Sequence, residues 1–221
     1  MIGITEDINC KDCKFKVLQD ILDVDDYQII NQEKSCIRYY INDFILKQGS
    51  FVSQVAFLRK GLVKKILEGK NGRNTIVKIV QGGSFIALPT LGNVKKYPFS
   101  VVALTDCEVC LISSKAIKSI IKRNHTFKEY LLDWFSIDYA NMYNKMTNIS
   151  TLNSHGKVAM ALLYASASTF SPTVLNTLSR KDIAELAATS LESCNKILQQ
   201  LNHDKIIELK KNGILIKRKD L

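Results

Sequence analysis

The sequence lacks the patterns of a membrane or secreted protein. Its 221 residues contain three prolines, one tryptophan and no apolar run near the roughly 20 residues that span a bilayer. The N-terminal stretch MIGITEDINCKDCKFK has no hydrophobic segment followed by a small-residue cleavage site, so we expect no signal peptide. The pattern therefore predicts a cytoplasmic protein without membrane contact.

Histidine is also scarce, and its positions argue against metal chemistry in the first half of the chain. The three histidines are His125, His155 and His203, and none lies between residues 35 and 114. Barrel metalloenzymes of the cupin type use several inward histidines, and this segment has none to offer. No Ser-His-Asp or paired-carboxylate arrangement follows from the spacing either. We predict that the chain is not an enzyme and uses no cofactor.

What the chain has in excess is positive charge. The formal net charge is +10 and the sequence pI is about 9.3, a balance that attracts polyanions without specifying which. Nucleic acid is the expected partner, an acidic membrane surface is the weaker alternative, and a general preference for lysine is the neutral explanation. Six cysteines at cytosolic redox potential indicate thiols or metal ligands rather than disulfides.

The first half of the chain is predicted to be mostly β-structure. Residues 15 to 32 carry apolar side chains at spacings that indicate one or two short helices. From Ser35 to about Ser114, short apolar stretches alternate with glycines and no long helical pattern intervenes, which predicts an antiparallel barrel or sandwich. The stretch EGKNGRN, Glu68 to Asn74, indicates a hairpin loop.

A long helix is predicted next, from Ser114 or His125 to Ile149. Apolar residues recur along it at alternating steps of three and four: Leu132, Phe135, Tyr139, Met142, Met146 and Ile149. This is the seam of a coiled coil. A second set, Leu131, Trp134 and Ile137, is available to pack on the helix's own domain. We predict a parallel two-stranded coiled coil; the alternative is one stripe buried on the same chain.

The C-terminal third is predicted to be a small helical domain with a hairpin. STLNS (Ser150 to Ser154) interrupts the long helix, HGKVAMALLYASAS predicts a further helix, and FSPTVLNT predicts a loop. Two short helices follow within SRKDIAELAATSLESCNKILQQL, Ser179 to Leu201. KIIELKKNGILIKR closes the chain as two strands, which we expect to be joined at Asn212-Gly213.

Both short helices have capping signals and apolar inner faces. Ser179 with Asp182, and Thr189 with Glu192, match the capping-box spacing. Ile183, Leu186 and Ala187 form the inner face of the first helix, and the small Ala184 permits a close approach of the second.

The exposed turns of the second helix suit the major groove of DNA. Lys196 is a candidate for guanine and Glu192 for cytosine, with Asn195 on the same turns. Arg180, Lys181, Ser190 and Ser193 are candidates for phosphate contacts, and Lys210 and Lys211 for a wing that grips the backbone. The alternatives are a simple Glu192–Lys196 surface pair and a protein-binding face.

This order of parts resembles the Crp/Fnr family of bacterial transcription regulators. The strongest element is LSRKDIAELAATSLESCNKILQQLNHDKIIELKKNGILIK, Leu178 to Lys217. The resemblance implies an α+β chain with a β-roll (jelly-roll-like) sensor domain at 1–124, a dimerisation helix at 125–150 and a winged helix-turn-helix at 151–221. It also implies a homodimer on a two-fold symmetric operator of double-stranded DNA, and RNA polymerase as a further partner.

Two positions depart from the family's DNA-reading pattern. Leu191 stands where the family often has Arg, and Lys196 stands where it often has Arg as well. Lysine lacks the rigid two-pronged geometry of arginine, so we expect a different operator preference. Leu191 is a candidate for contact with a thymine methyl group if it is exposed.

The sensor half departs further from the family members that bind cyclic AMP. Those members carry a Gly-Glu-Leu turn and an Arg-Ser pair; here Leu88 takes the place of the Glu, and Tyr97 and Pro98 take the places of the pair. Lys95 and Lys96 lie nearby but out of register. Because a semi-buried phosphate needs a cationic or amide partner, we predict that cyclic AMP is not the ligand.

The cysteines give a weaker resemblance to the oxygen-sensing members. Cys10, Cys13 and Cys110 match three of four positions that hold an iron–sulfur cluster, and the fourth falls on Gln19. A four-iron cluster usually takes four thiolates, so Cys36 or Cys107 would have to substitute. Buried thiols without a cofactor, and a thiol-based redox response of Cys10 and Cys13, are the alternatives.

Overall fold

The computed structural model describes residues 3–4, 16–88, 91–92, 94–167, 170, 174–210 and 213–217. The chain divides into two compact units. The first comprises Met1–Lys65 and Ile79–Asn141, and the second comprises Ile66–Lys78 and Met142–Leu221. Antiparallel sheets, a long helix and a C-terminal helical region with a hairpin follow one another, which confirms the predicted fold class.

Two sheets precede the long helix. Their strands are β1 (Gly3–Ile4), β2 (Lys34–Tyr39), β3 (Phe44–Leu46), β4 (Gln54–Lys60), β5 (Leu62–Glu68), β6 (Asn74–Gln81), β7 (Ser84–Phe85), β8 (Ser100–Ala103) and β9 (Cys107–Ser113). One sheet has the order β1-β2-β9-β4-β7 with antiparallel neighbours, and the other has the order β3-β8-β5-β6. A single 3-10 turn, Lys70–Gly72, joins β5 to β6 within the predicted hairpin loop.

The middle of strand β4 is continuously apolar. Its residues Val55, Ala56, Phe57 and Leu58 are all buried. Because side chains alternate between the faces of a strand, Val55 and Phe57 enter one core cluster while Ala56 and Leu58 enter another. The sheet is therefore covered on both faces, which is why no polar residue interrupts the run.

Helices cover one of these faces. They are α1 (Lys16–Gln19), α2 (Val24–Gln32), α3 (Ser114–Arg123) and α4 (His125–Thr151). Asn124 separates α3 from α4, and its Oδ1 accepts a hydrogen bond from the Phe127 amide at 2.8 Å, which starts α4. Its Nδ2 also donates to the fully buried Asp26 of α2, so α2 is fixed to the junction between α3 and α4.

The second unit contains the predicted helices and hairpin, with three corrections. Its elements are α5 (Ser154–Ala165), α6 (Val174–Thr177), α7 (Arg180–Leu186), α8 (Leu191–His203), β10 (Ile207–Lys210) and β11 (Gly213–Ile216). Val174–Thr177, predicted as loop, forms one helical turn because Val174 and Leu175 are buried. Helix α4 continues to Thr151, and in its last turn the Ser150 and Thr151 hydroxyls donate hydrogen bonds to the Thr147 carbonyl.

The hairpin register is the third correction. Gly213 belongs to β11 and pairs with Lys210, so the two connecting residues are Lys211 and Asn212 rather than Asn212 and Gly213. Gly213 is required for a different reason, since a Cβ there would collide with the side chain of Asn176. Lys211 and Asn212 themselves lie outside the described residues. In the described part of the chain, no helix has the length and apolar character needed to cross a bilayer.

Candidate nucleic-acid interface

Helices α7 and α8 are joined by a tight turn, Ala187 to Ser190. The predicted capping box at the start of α7 is confirmed, because Ser179 and Asp182 exchange hydrogen bonds with each other's backbone amides. Ala188 in the turn adopts a left-handed backbone with φ 50°, which for an alanine costs about 1–2 kcal/mol. The Thr189 amide donates to the Ala184 carbonyl at 3.0 Å and so ties the turn to α7.

The cap of α8 lies one residue later than predicted. Ser190, not Thr189, has the extended backbone of an N-cap, and its Oγ accepts from the Ser193 amide at 3.1 Å. The Thr189 amide is instead committed to Ala184, so Thr189 belongs to the turn. Glu192 consequently is the second helical residue and has no part in a capping box.

Helix α8 has one buried and one exposed side. Cys194, Ile197, Leu198 and Leu201 are buried, and α5 and β10 pack against the helix along with α7. On the other side Leu191, Glu192, Asn195 and Lys196 are exposed, and Ser193 is half-buried. The helix therefore presents its N-terminal turns to solvent with the predicted base-reading residues on them, and Leu191 is available for an apolar contact.

Four of the polar candidates are already engaged with one another, in two pairs. Lys196 Nζ lies 2.8 Å from Glu192 Oε1, in an exposed ion pair at the i, i+4 spacing. Such a pair is worth only about 0.3–0.5 kcal/mol, so DNA can displace it at little cost. The Ser190 hydroxyl hydrogen-bonds Ser193 Oγ at 2.9 Å and also caps the helix, so it is less available for phosphate than predicted.

The basic residues at the start of α7 lie in different environments. Lys181 is exposed, and its Nζ is 3.9 Å from Glu185. Arg180 is partly buried and close enough to Cys194 for its charge to act on that thiol. Burial nevertheless dominates and raises the pKa of Cys194 to about 11. Cys194 is thus a buried protonated thiol of the helix pair.

Two asparagines that were not predicted hold the wing in place. Asn202 Oδ1 accepts from the Leu209 amide of β10 at 2.9 Å, and Asn176 Oδ1 accepts from the Ile214 amide of β11 at 3.2 Å. Lys210 at the end of β10 is exposed, as a phosphate contact requires. The other wing candidate, Lys211, lies outside the described residues.

The predicted heptad seam of α4 is largely exposed in the single chain. Leu132, Tyr139, Met142 and Met146 are each 51–59% exposed, whereas Phe135 and Ile149 are partly covered. Phe135 packs on its own core cluster and meets Trp134 edge to face. Of the second set, Leu131 is buried and Trp134 partly so, but Ile137 is exposed because the packed part of the helix ends before it.

A lysine that was not predicted joins the end of α4 to the helix pair. Lys145 Nζ donates a hydrogen bond to the carbonyl of Leu186, the last residue of α7. Burial lowers the pKa of Lys145 to about 8. No sequence signal marks it, because a lysine on an exposed helix face has the same pattern.

Replacing Lys145 with Met should change how stability depends on pH. Between pH 8 and 10.5 the unfolded chain keeps the lysine proton that the native protein has lost, so the contribution of Lys145 to the unfolding free energy rises with pH. Relative to Lys145→Met, we expect a rise of about 1–3 kcal/mol across this window, measured by urea unfolding. Cys194 contributes the opposite slope in both proteins and cancels in the difference. A difference that stays constant with pH would contradict the burial of this ammonium group.

Of the three residues predicted to stand at the cyclic-nucleotide positions, Leu88 and Tyr97 are core residues and Pro98 is exposed. Leu88 is fully buried and Tyr97 is 5% exposed. The Tyr97 hydroxyl donates to the Gln54 carbonyl at 2.8 Å, and burial raises its pKa. Lys95 and Lys96 are exposed, and Lys96 lies over the ring of Phe51.

One buried cation, Lys65 of β5, lies beside this segment. It is 3% exposed, and its Nζ is 4.9 Å from the centre of the Phe99 ring and 5.5 Å from that of Trp134. These rings attract the ammonium through their π-faces. Lys65 was not predicted, because it lies in a strand where a lysine normally faces water.

Cys36 and Cys107, the two candidates for the fourth thiolate ligand that Gln19 cannot supply, lie in different surroundings. Cys36 of β2 lies directly opposite Cys110 of β9, with their sulfur atoms 3.0 Å apart. Cys107 lies on the other face of β9, where its thiol donates to the Leu62 and Thr105 carbonyls and burial raises its pKa. Cys10 and Cys13 lie outside the described residues. Within the described ranges, no three His, Cys, Asp or Glu side chains form a metal-binding group.

A helix pair with an exposed recognition face, a hairpin wing and a preceding double-sheet unit together define a winged helix-turn-helix protein with a sensor-type β domain. Comparison with known families agrees with this. Residues 36–124 match the cyclic nucleotide-binding domain, and residues 156–221 match the Crp-like helix-turn-helix domain. The chain belongs to the Crp/Fnr family of transcriptional regulators.

Individual relatives are distant but extend over most of the chain. The cAMP-activated global transcriptional regulator CRP of Salmonella typhimurium is 23% identical over 184 residues, 81% of this chain and 88% of that protein. FixK2 from Bradyrhizobium japonicum has a TM-score of 0.74 at 16% identity, with 84% of this chain and 93% of that one covered. The c-di-GMP-responsive regulator CLP of Xanthomonas campestris has a TM-score of 0.73 at 15% identity, with 88% and 99% covered.

Proposed function

We propose that this protein is a sequence-specific DNA-binding regulator of transcription that works as a homodimer. The observation that carries the proposal is the arrangement of α8, which buries Cys194, Ile197 and Leu198 and exposes Glu192, Asn195 and Lys196 at its N-terminal end. A helix presented in this way fits the major groove, where the side chains of its first turns reach base edges.

Dimerisation is proposed through α4. The exposed seam of Leu132, Tyr139, Met142 and Met146 has the spacing that a second copy of the same helix would cover. Two copies would place two α8 helices in successive major grooves, about 34–36 Å apart on a two-fold symmetric operator. We take 1–124 as the sensor domain, 125–150 as the dimerisation helix and 151–221 as the DNA-binding domain, with RNA polymerase as the further partner of the bound dimer.

The proposed phosphate contacts are Arg180, Lys181, Ser190, Ser193, Lys210 and Lys211. The proposed base contacts are Leu191, Glu192, Asn195 and Lys196.

The experiment that tests this function is selection of genomic fragments by the purified full chain. We expect enriched fragments to share a symmetric site with half-sites separated by one helical turn, about 10–10.5 base pairs. Enrichment without any shared site, or no retention of duplexes at low salt, would refute sequence-specific binding.

We propose that cyclic AMP is not the signal that acts on the sensor unit. Leu88 and Tyr97 offer no cation or free amide at the positions that other members use for the ribose and phosphate. A signal acting there would have to favour one seating of α4 over another by its own binding energy. The c-di-GMP response of CLP illustrates that this fold is not restricted to one nucleotide.

Calorimetric titration of cyclic AMP into the full-length protein should show no binding heat at micromolar to sub-millimolar concentration. The reason is that an anionic phosphate loses its hydration on entering the unit and gains no arginine partner in return. Binding at micromolar affinity would contradict the prediction. Lys65→Met then serves as the diagnostic variant, because loss of that affinity would identify the buried ammonium group as the replacement for arginine.

A further inference from the structure

Two cysteines outside the proposed DNA interface form a close pair in the first unit. Cys36 and Cys110 are directly opposite each other on the antiparallel strands β2 and β9. Opposed residues on such strands have Cα atoms about 4.5–5.5 Å apart, which falls within the 4.4–6.8 Å range of disulfides. Their sulfur atoms, 3.0 Å apart, are about 1 Å beyond bonding distance.

We propose that Cys36 and Cys110 are a redox-active dithiol that closes to a cross-strand disulfide when a hydroperoxide reaches it. One thiolate attacks the peroxide oxygen, becomes a sulfenic acid and releases an alcohol or water once the leaving oxygen takes a proton. The second sulfur then displaces the hydroxyl, which leaves as water, and the S–S bond forms. The two sulfurs together lose two electrons and two protons, and the peroxide O–O bond is the group reduced.

A disulfide between Cys36 and Cys110 would change the packing of the core on which helices α3 and α4 lie. Both cysteines belong to the core cluster that also contains Ile117 of α3 and Phe127 and Leu131 of α4. Closing the bond draws two sulfur atoms together by about 1 Å within a densely packed interior, so neighbouring side chains must repack. The first turns of α4 pack on this cluster and would be affected by the repacking. The formation of the disulfide itself does not depend on DNA binding.

Cys107 provides an internal control. It is equally buried, on the same strand as Cys110, but it faces the other cluster and is hydrogen-bonded to main-chain carbonyls. Its opposite residue on β2 is Tyr39, so it has no cross-strand thiol. It should therefore remain reduced under conditions that oxidise the pair.

The test is disulfide mapping of the full-length chain after hydrogen peroxide. We would use both the wild type and a Cys10→Ser/Cys13→Ser variant, which removes the N-terminal thiols as a source of bridges. After alkylation and digestion, we expect a peptide pair linked through Cys36 and Cys110, two hydrogens lighter than the sum of its parts and restored by dithiothreitol. Cys107→Ser should retain the bridge, whereas Cys36→Ser should leave Cys110 as a sulfenic or sulfinic acid.

Several results would overturn the proposal. One is oxidation of Cys36 or Cys110 without a link between them in the wild type, which requires no variant to fold. Another is a bridge from either cysteine to Cys107. A third is iron or another metal retained by Cys36 and Cys110 in anaerobically purified protein, because the thiolates would then be ligands rather than a redox pair.

Discussion

Replacing Met142 with Glu should convert the proposed dimer to monomers at micromolar concentration and weaken binding to a full operator by at least about 100-fold. Met142 lies at the centre of the proposed seam and is 51% exposed in the single chain. In a parallel pair the two introduced carboxylates would face each other across an apolar interface, where neither is hydrated or paired. Loss of the dimer also removes the second recognition helix from the same DNA molecule.

Sedimentation velocity and a duplex titration measure the two parts of this result. The matched control is Asn144→Glu, which adds the same charge to an exposed position about 200° away around the helix. It should remain dimeric and bind DNA with nearly wild-type affinity. A dimeric Met142→Glu protein, or dissociation of both variants alike, would show that the seam of α4 is not the interface.

The sequence predicts the order of elements because each carries its own local signal. Glycines separate the β-stretches, heptad spacing marks α4, and Ser179 with Asp182 marks the start of α7. Boundaries set by tertiary contacts are less predictable. The cap moves from Thr189 to Ser190 because the Thr189 amide bonds across the turn, and Val174–Thr177 becomes helical because its apolar side chains are buried.

Pairing between distant strands cannot be obtained from periodicity at all. Cys36 and Cys110 are 74 residues apart, and only the register of β2 on β9 brings their sulfurs together. The same holds for Lys65 between two aromatic rings and for Lys145 at the end of α7, since each lysine has the sequence context of a solvent-exposed residue. The exposure of Glu192, Asn195 and Lys196 is predictable because the solvent-facing side of a short amphipathic helix is a local property of the sequence.

Lys196→Ala should weaken binding to the selected operator by about 1–3 kcal/mol, or roughly 5- to 150-fold, with little change on unrelated duplexes. The lysine ammonium group can donate a hydrogen bond to the acceptor atoms on a guanine edge, whereas the alanine side chain has no donor. Folding should be almost unaffected, because the Lys196–Glu192 pair is exposed and contributes a few tenths of a kcal/mol at most. Fluorescence anisotropy on operator and scrambled duplexes at several salt concentrations gives the comparison.

Lys181→Ala distinguishes a base contact from a phosphate contact. Lys181 is exposed at the start of α7, and its loss should weaken binding to all duplexes alike. The slope of log binding constant against log salt concentration should fall in magnitude by about 1.

Glu192→Gln adds a second distinction, because it releases Lys196 from its intrahelical partner. If Glu192 reads cytosine, the variant loses affinity for the operator alone; if it only restrains Lys196, affinity rises on every duplex. An equal effect of Lys196→Ala on operator and scrambled DNA would assign Lys196 to the phosphate backbone.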